Sequence, residues 1–73
     1  MIARLKVKLK WPHPKEYTRV MTEHLDEDKA VDGPMALYQW FIEHWDRPLN
    51  PEKMKQAYLA AWAVAIDRGM VEL

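Results

Sequence analysis

Residues 3–11 read ARLKVKLKW. On an extended backbone successive side chains point to opposite faces, so Ala3, Leu5, Val7, Leu9 and Trp11 share one side while Arg4, Lys6, Lys8 and Lys10 share the other. The alternation predicts a half-buried β-strand. Pro12 and Pro14 stop it, because a proline lacks the ladder N–H and pushes the residue before it out of the helical region. Taken with the helical patterns downstream, the expected fold class is α+β: an N-terminal strand, three α-helices and a short final strand at 70–73.

A strand needs a partner for its rim of N–H and C=O groups. The tail at 70–73 and the segment at 29–32 are each too short to cover nine residues. A second copy of residues 3–11 would cover them all, which makes a homodimer through this strand the expectation. Lysines opposed to lysines across that pairing would weaken it.

The helices are announced by punctuation. Pro14 suits a first turn, and Tyr17, Val20, Met21, His24 and Leu25 follow at spacings of three and four, predicting a helix that ends near Leu25. Asp26, Glu27 and Asp28 would oppose the dipole at a helix C-terminus, so they are assigned to a loop. Asp32 or Gly33 caps the next helix, with Pro34 at its first position and Leu37, Tyr38, Phe41, Ile42 and Trp45 as its inner stripe; it should end by Arg47. Asn50 and Pro51 repeat the signal, and Gly69 closes a third helix over about 51–68. That helix is apolar nearly all round. Its bulky side carries Tyr58, Leu59, Trp62, Ala65 and Ile66, while Ala57, Ala60, Ala61, Ala63 and Val64 fill much of the rest. Such a helix is expected either to lie between two layers or to carry its alanines for helix propensity alone.

Seventy-three residues, 49% of them hydrophobic, support a single small globular domain over 1–73 with one core. Such a domain is only marginally stable without disulfides, metal or oligomerisation, and disulfides are excluded because the chain has no cysteine. The longest apolar run, 57–66, is about half the length a bilayer span requires. A signal peptide needs a continuous apolar stretch where this N-terminus carries a charge at every second position. A cytoplasmic protein without membrane partners is therefore expected.

The formal charge is zero, but it is segregated. Arg4, Lys6, Lys8, Lys10, Lys15 and Arg19 face only Glu16 within the first twenty residues, whereas Glu23, Asp26, Glu27, Asp28 and Asp32 face only Lys29 within the next twelve. A dipolar surface of this kind favours contact between unlike segments of one chain or of two.

The chemistry that is missing narrows function further. Without serine or cysteine there is no serine or cysteine nucleophile, and two glycines, both committed to helix ends, cannot write a phosphate-binding loop or a dinucleotide fingerprint. His13, His24 and His44 lack the short spacings of a zinc motif; His24 reads as a boundary histidine on the inner stripe and His44 as solvent-facing. Asp26 and Asp28 open like a calcium loop, but Ala30 and Val31 stand where it needs an oxygen ligand and a glycine. The acidic group around Glu23 reads as solvated charge rather than paired catalytic carboxylates. No catalytic, cofactor-binding or metal residues are assigned, and no cofactor is expected.

What remains is binding. Of the four tryptophans, Trp11, Trp45 and Trp62 fit inner stripes and are expected in the core, whereas Trp40 lies off the stripe of its helix and is a candidate interface anchor that, with Met35, Gln39 and Glu43 nearby, defines a second candidate contact surface. The expected function is a small non-enzymatic protein–protein interaction module, homodimeric through residues 3–11, with Arg4, Lys6, Lys8, Lys10 and Trp40 as its candidate surface. Size alone suggests an origin in a phage or other mobile element. The alternative is a nucleic-acid-binding accessory protein whose cationic strand face, with side chains about 7 Å apart, tracks phosphates. Neutral overall charge and the lack of an aromatic on that face weigh against it.

Overall fold

The computed structural model describes residues 13–27 and 31–71. Three helices follow one another: α1 (Lys15–Glu27), α2 (Pro34–His44) and α3 (Pro51–Asp67). The carbonyl of Pro14 accepts from the N–H groups of Tyr17 and Thr18, so the proline starts α1 from just outside it. Gly33 is the N-cap of α2, with φ 147° and ψ −172°, a region that side chains with a Cβ avoid. Its carbonyl accepts from Leu37 at 3.0 Å, and Pro34 follows where a missing N–H costs nothing. Asn50 caps α3 by accepting from the backbone N–H of Lys53 at 2.8 Å.

The end of α3 is closed by a pair of bonds that wrap the chain back on itself. Gly69 at φ 75° donates to the Ile66 carbonyl at 3.1 Å, and Met70 donates to the Ala65 carbonyl at 2.8 Å. This is the Schellman arrangement, in which a left-handed residue satisfies carbonyls that the helix leaves open. The Met70 side chain then packs on the core.

That core joins all three helices. Tyr17, Met21 and Leu25 come from α1, Leu37 and Phe41 from α2, and Ala57, Ala60, Ala61 and Val64 from α3. Phe41, Met21 and Leu37 are the largest side chains entirely removed from solvent, each stabilising the fold by about 1.5–3 kcal/mol through the transfer of apolar surface. Helix α3 is the common element, packed against both α1 and α2, which approach each other less closely.

Several sequence expectations require correction. Among the described residues there is no strand, and the described part of the chain is all-α rather than α+β. The expected strand at 3–11, with Arg4, Lys6, Lys8 and Lys10, lies outside the described residues. The expected final strand fails for a visible reason: the Met70 N–H is spent on capping α3, and neither Met70 nor Val71 is extended into a ladder. Helix α1 runs two residues past Leu25, to Glu27. The unfavourable acids there are answered from another element, because the Arg68 guanidinium bonds the Asp26 carboxylate and lies 3.5 Å from the Thr22 carbonyl. Helix α2 stops at His44, within the expected limit of Arg47.

The faces of α3 are the other correction. Its buried residues are Ala57, Ala60, Ala61, Val64 and Ala65, whereas Leu59, Trp62 and Ile66 are half-buried and Tyr58 is exposed. Only Ala65 of the bulky side is buried, and Trp62, expected in the core, is half-buried. Alanine leaves the helix backbone free to approach its neighbours closely, toward the short end of the usual interaxial range of about 8–10 Å.

Candidate interaction surface

Where alanines bring α3 close to its neighbours, rings bridge the wider seam between α1 and α2. Tyr17 meets Phe41 with ring centroids 4.8 Å apart and meets Trp45 edge-on at 5.1 Å. Phe41 and Trp45 stack at 4.7 Å, as expected for residues four apart on one helix face. Arg47 covers the outside of this group, its guanidinium 4.3 Å from the Trp45 ring centroid and 2.7 Å from Glu16 on α1. The hydrogen bond to Glu16 raises the pKa of Arg47 further above its ordinary value, so the group stays cationic.

Trp40 lies further along the same seam. It is half-buried rather than exposed, and packs against the core. His24 of α1 stacks on it with centroids 3.8 Å apart and planes 12° from parallel, and His44 stacks at 5.2 Å and 20°. The Nδ1 of His44 lies 3.0 Å from the Trp40 carbonyl, completing a link within the last turn of α2. Trp40 is thus a bridging residue, with only part of its surface left to a partner. His24 sits at the boundary and His44 in solvent, as the sequence pattern indicates.

Among the described residues the most exposed large apolar side chains lie elsewhere, at Met35 (53%) and Tyr58 (36%). Met35 and Tyr38 are three residues apart on α2 and so share a side of it. Tyr38 meets Tyr58 of α3 edge-to-face at 5.5 Å, and Tyr58 in turn meets Trp62 at 6.4 Å. These residues form an apolar strip along the edge of α2 and α3. The indole Nε1 of Trp62 is enclosed and has no hydrogen-bond acceptor among the described residues. The sequence pattern assigns Trp62 to the core and groups Met35 with Trp40 as a contact surface, but it does not single out Tyr58. The spacing of Met35 and Tyr38 was available as a signal, whereas the contact between Tyr38 and Tyr58 depends on how α2 and α3 pack.

An open depression of about 390 Å³ is lined by Leu25, Asp26, Val31, Arg68 and Met70. Its carboxylate and guanidinium are bonded to each other, which leaves neither free to orient a ligand. Among the described residues no three histidine or acidic side chains converge as metal ligands, and no polar or charged residue is buried. No described helix is long and apolar enough to cross a membrane. Of the five candidate surface residues, the structure places Trp40 alone; Arg4, Lys6, Lys8 and Lys10 lie outside the described residues. Comparison of the chain with protein-family models, with curated proteins and with solved structures returns no match.

Proposed function

We propose that this chain is a small non-catalytic module that binds another protein or a second copy of itself, in the cytoplasm, a compartment that suits a chain without cysteine. The observation that carries the reading is the strip of Met35, Tyr38 and Tyr58. Among the described residues it holds the two most exposed large apolar side chains, and two of its members, Tyr38 and Tyr58, meet edge-to-face. Tyrosine and methionine are favoured at the centres of protein contacts, because each offers a large apolar area that adapts to a partner at modest cost in order. Trp40 extends the candidate contact through the part of the indole that His24 and His44 leave uncovered.

Site-specific photo-crosslinking tests this. A photoreactive phenylalanine analogue replacing Tyr58 should give a defined protein adduct in cells, and the same analogue replacing the exposed Arg19 on α1 should not. An adduct of twice the chain mass identifies self-association, and an adduct of another mass identifies a different partner. Equal labelling from both positions, no protein adduct from position 58, or an adduct sensitive to nuclease overturns the reading.

A further inference from the structure

We propose that the outer face of α3 is the seat of the chain's own N-terminal segment, with Leu5, Val7, Leu9 and Trp11 set against Leu59, Trp62 and Ile66. At 3.6 residues per turn the buried positions of α3, Ala57, Ala60, Ala61, Val64 and Ala65, occupy one side of the helix, and Leu59, Trp62 and Ile66 fall on the opposite side. Among the described residues, the half-buried hydrophobic side chains that pack on the core come from α1, α2 and the segments outside the helices, and none comes from α3. Large side chains turned away from the core and toward water would be exposed. Yet all three are half-buried, and the Nε1 of Trp62 is enclosed with no acceptor among the described residues. An indole N–H can only donate, and leaving it dry and unpaired is costly, so the group that covers this face must bring an acceptor.

Three observations favour residues 3–11 as the occupant. The first is where they join the fold. Arg47, before α3, bonds Glu16 at the start of α1, and Arg68, just after α3, bonds Asp26 near the end of α1. The two helices therefore run in the same direction, and His13 lies at the end where α3 begins. The Nδ1 of His13 is itself enclosed without a partner among the described residues, so the chain is already covered where it enters α1. The second is length. Nine residues on an extended backbone reach about 30 Å, and the 17 residues of α3 rise about 25 Å, so a segment starting beside the first turn of α3 spans the helix antiparallel to it. The third is chemistry. One side of the alternation is apolar and matches the face, the carbonyl of each residue is an acceptor for Trp62 Nε1, and Arg4, Lys6, Lys8 and Lys10 on the other side stay in water near the exposed carboxylates of Glu52 and Asp67 at the two ends of α3. The contact sets side chains on a helix and needs no β-ladder. Joined through Pro12 alone, the segment meets the face at an effective concentration on the order of millimolar, which favours it over a second copy.

Because the chain has no cysteine, a nitroxide can be placed on one introduced thiol and its effect read by NMR on the full chain. On Asp67→Cys, at the end of α3, it should broaden the backbone amide signals of residues 4–6 more than those of 8–10, and on Glu52→Cys, at the start of α3, the order should reverse. Mixing nitroxide-bearing chain with isotope-enriched chain that has no nitroxide should leave these signals sharp. No broadening at residues 4–10, the opposite order, or broadening as strong in the mixed sample, which would seat a second copy on the face, overturns the proposal. Leu5→Asp combined with Val7→Asp should abolish the broadening and speed hydrogen exchange at the Trp62 indole N–H, while the backbone amides of Met21 and Phe41 in the core stay protected. Broadening that survives both substitutions overturns it as well. If that double variant does not fold, the order of broadening from the two nitroxide positions decides alone.

Discussion

Two seams hold this molecule together, and they are built from opposite materials. Along the inner side of α3, Ala57, Ala60, Ala61 and Ala65 are wholly buried, and backbone proximity does the packing. Between α1 and α2 the helices stand further apart, and rings fill the space: Tyr17 against Phe41 and Trp45, and His24 against Trp40. The difference teaches that burial and bulk are separate properties of a helix face. A small side chain can be the most buried because it lets two helices meet, while large ones nearby, Leu59, Trp62 and Ile66, stay only half-buried.

The two seams should fail in opposite ways. Truncation is the larger threat to the ring-filled seam. Phe41→Ala removes the centre of the group that joins Tyr17 to Trp45 and should cost about 3–5 kcal/mol in chemical denaturation, enough to leave so small a domain largely unfolded. Enlargement is the threat to the alanine seam. Ala61→Leu puts a branched side chain where the helices are closest and should cost about 1–3 kcal/mol, although the substitution adds apolar volume to the interior. The informative control is Leu59→Ala, on the half-buried side of the same helix. It should be the milder change, and if it destabilises more than Ala61→Leu the assignment of the two faces is reversed.

Much of this architecture was written in the sequence as punctuation. Pro14, Gly33 with Pro34, Asn50 with Pro51, and Gly69 each mark a helix end, because each acts locally: a missing N–H, a left-handed or otherwise glycine-favoured backbone, or a side chain that bonds three residues ahead. The inner stripes of α1 and α2 were legible for a related reason, since Tyr17, Met21 and Leu25 recur at four and Leu37 and Phe41 do likewise. The inner face of α3 was not. A helix apolar on every side offers no contrast, and reading by bulk selected Trp62 and Ile66 where packing selected alanine. The α+β expectation drew on a pattern of period two, which states which side chains share a face but says nothing of what would complete a ladder; the described parts of its suggested partners, Val31 and Asp32 and then Met70 and Val71, are not in strands. The candidate surface was legible only as far as its helical spacings. His44 follows Trp40 by four residues and so meets it, but His24 and Tyr58 reach their ring partners across helices, and that information exists only in the packed fold.

The capping positions separate the seams from the helices they join. Gly33 sits at φ 147° with open space around its α-carbon, so Gly33→Ala would meet no neighbour and its cost, about 1–3 kcal/mol, would be backbone strain alone. That strain falls at the start of α2, the helix common to the ring-filled seam and the exposed strip. Asn50→Ala should cost less, about 1 kcal/mol, by leaving the Lys53 N–H without its partner at the start of α3. Neither side chain touches Trp40 or the rings of the α1–α2 seam. The costs of Gly33→Ala and Asn50→Ala should therefore add in the double variant, to within about 0.5 kcal/mol. A double variant that departs further from that sum would mean that the two helix starts are coupled through the seams, and the contrast between local caps and shared packing would no longer hold.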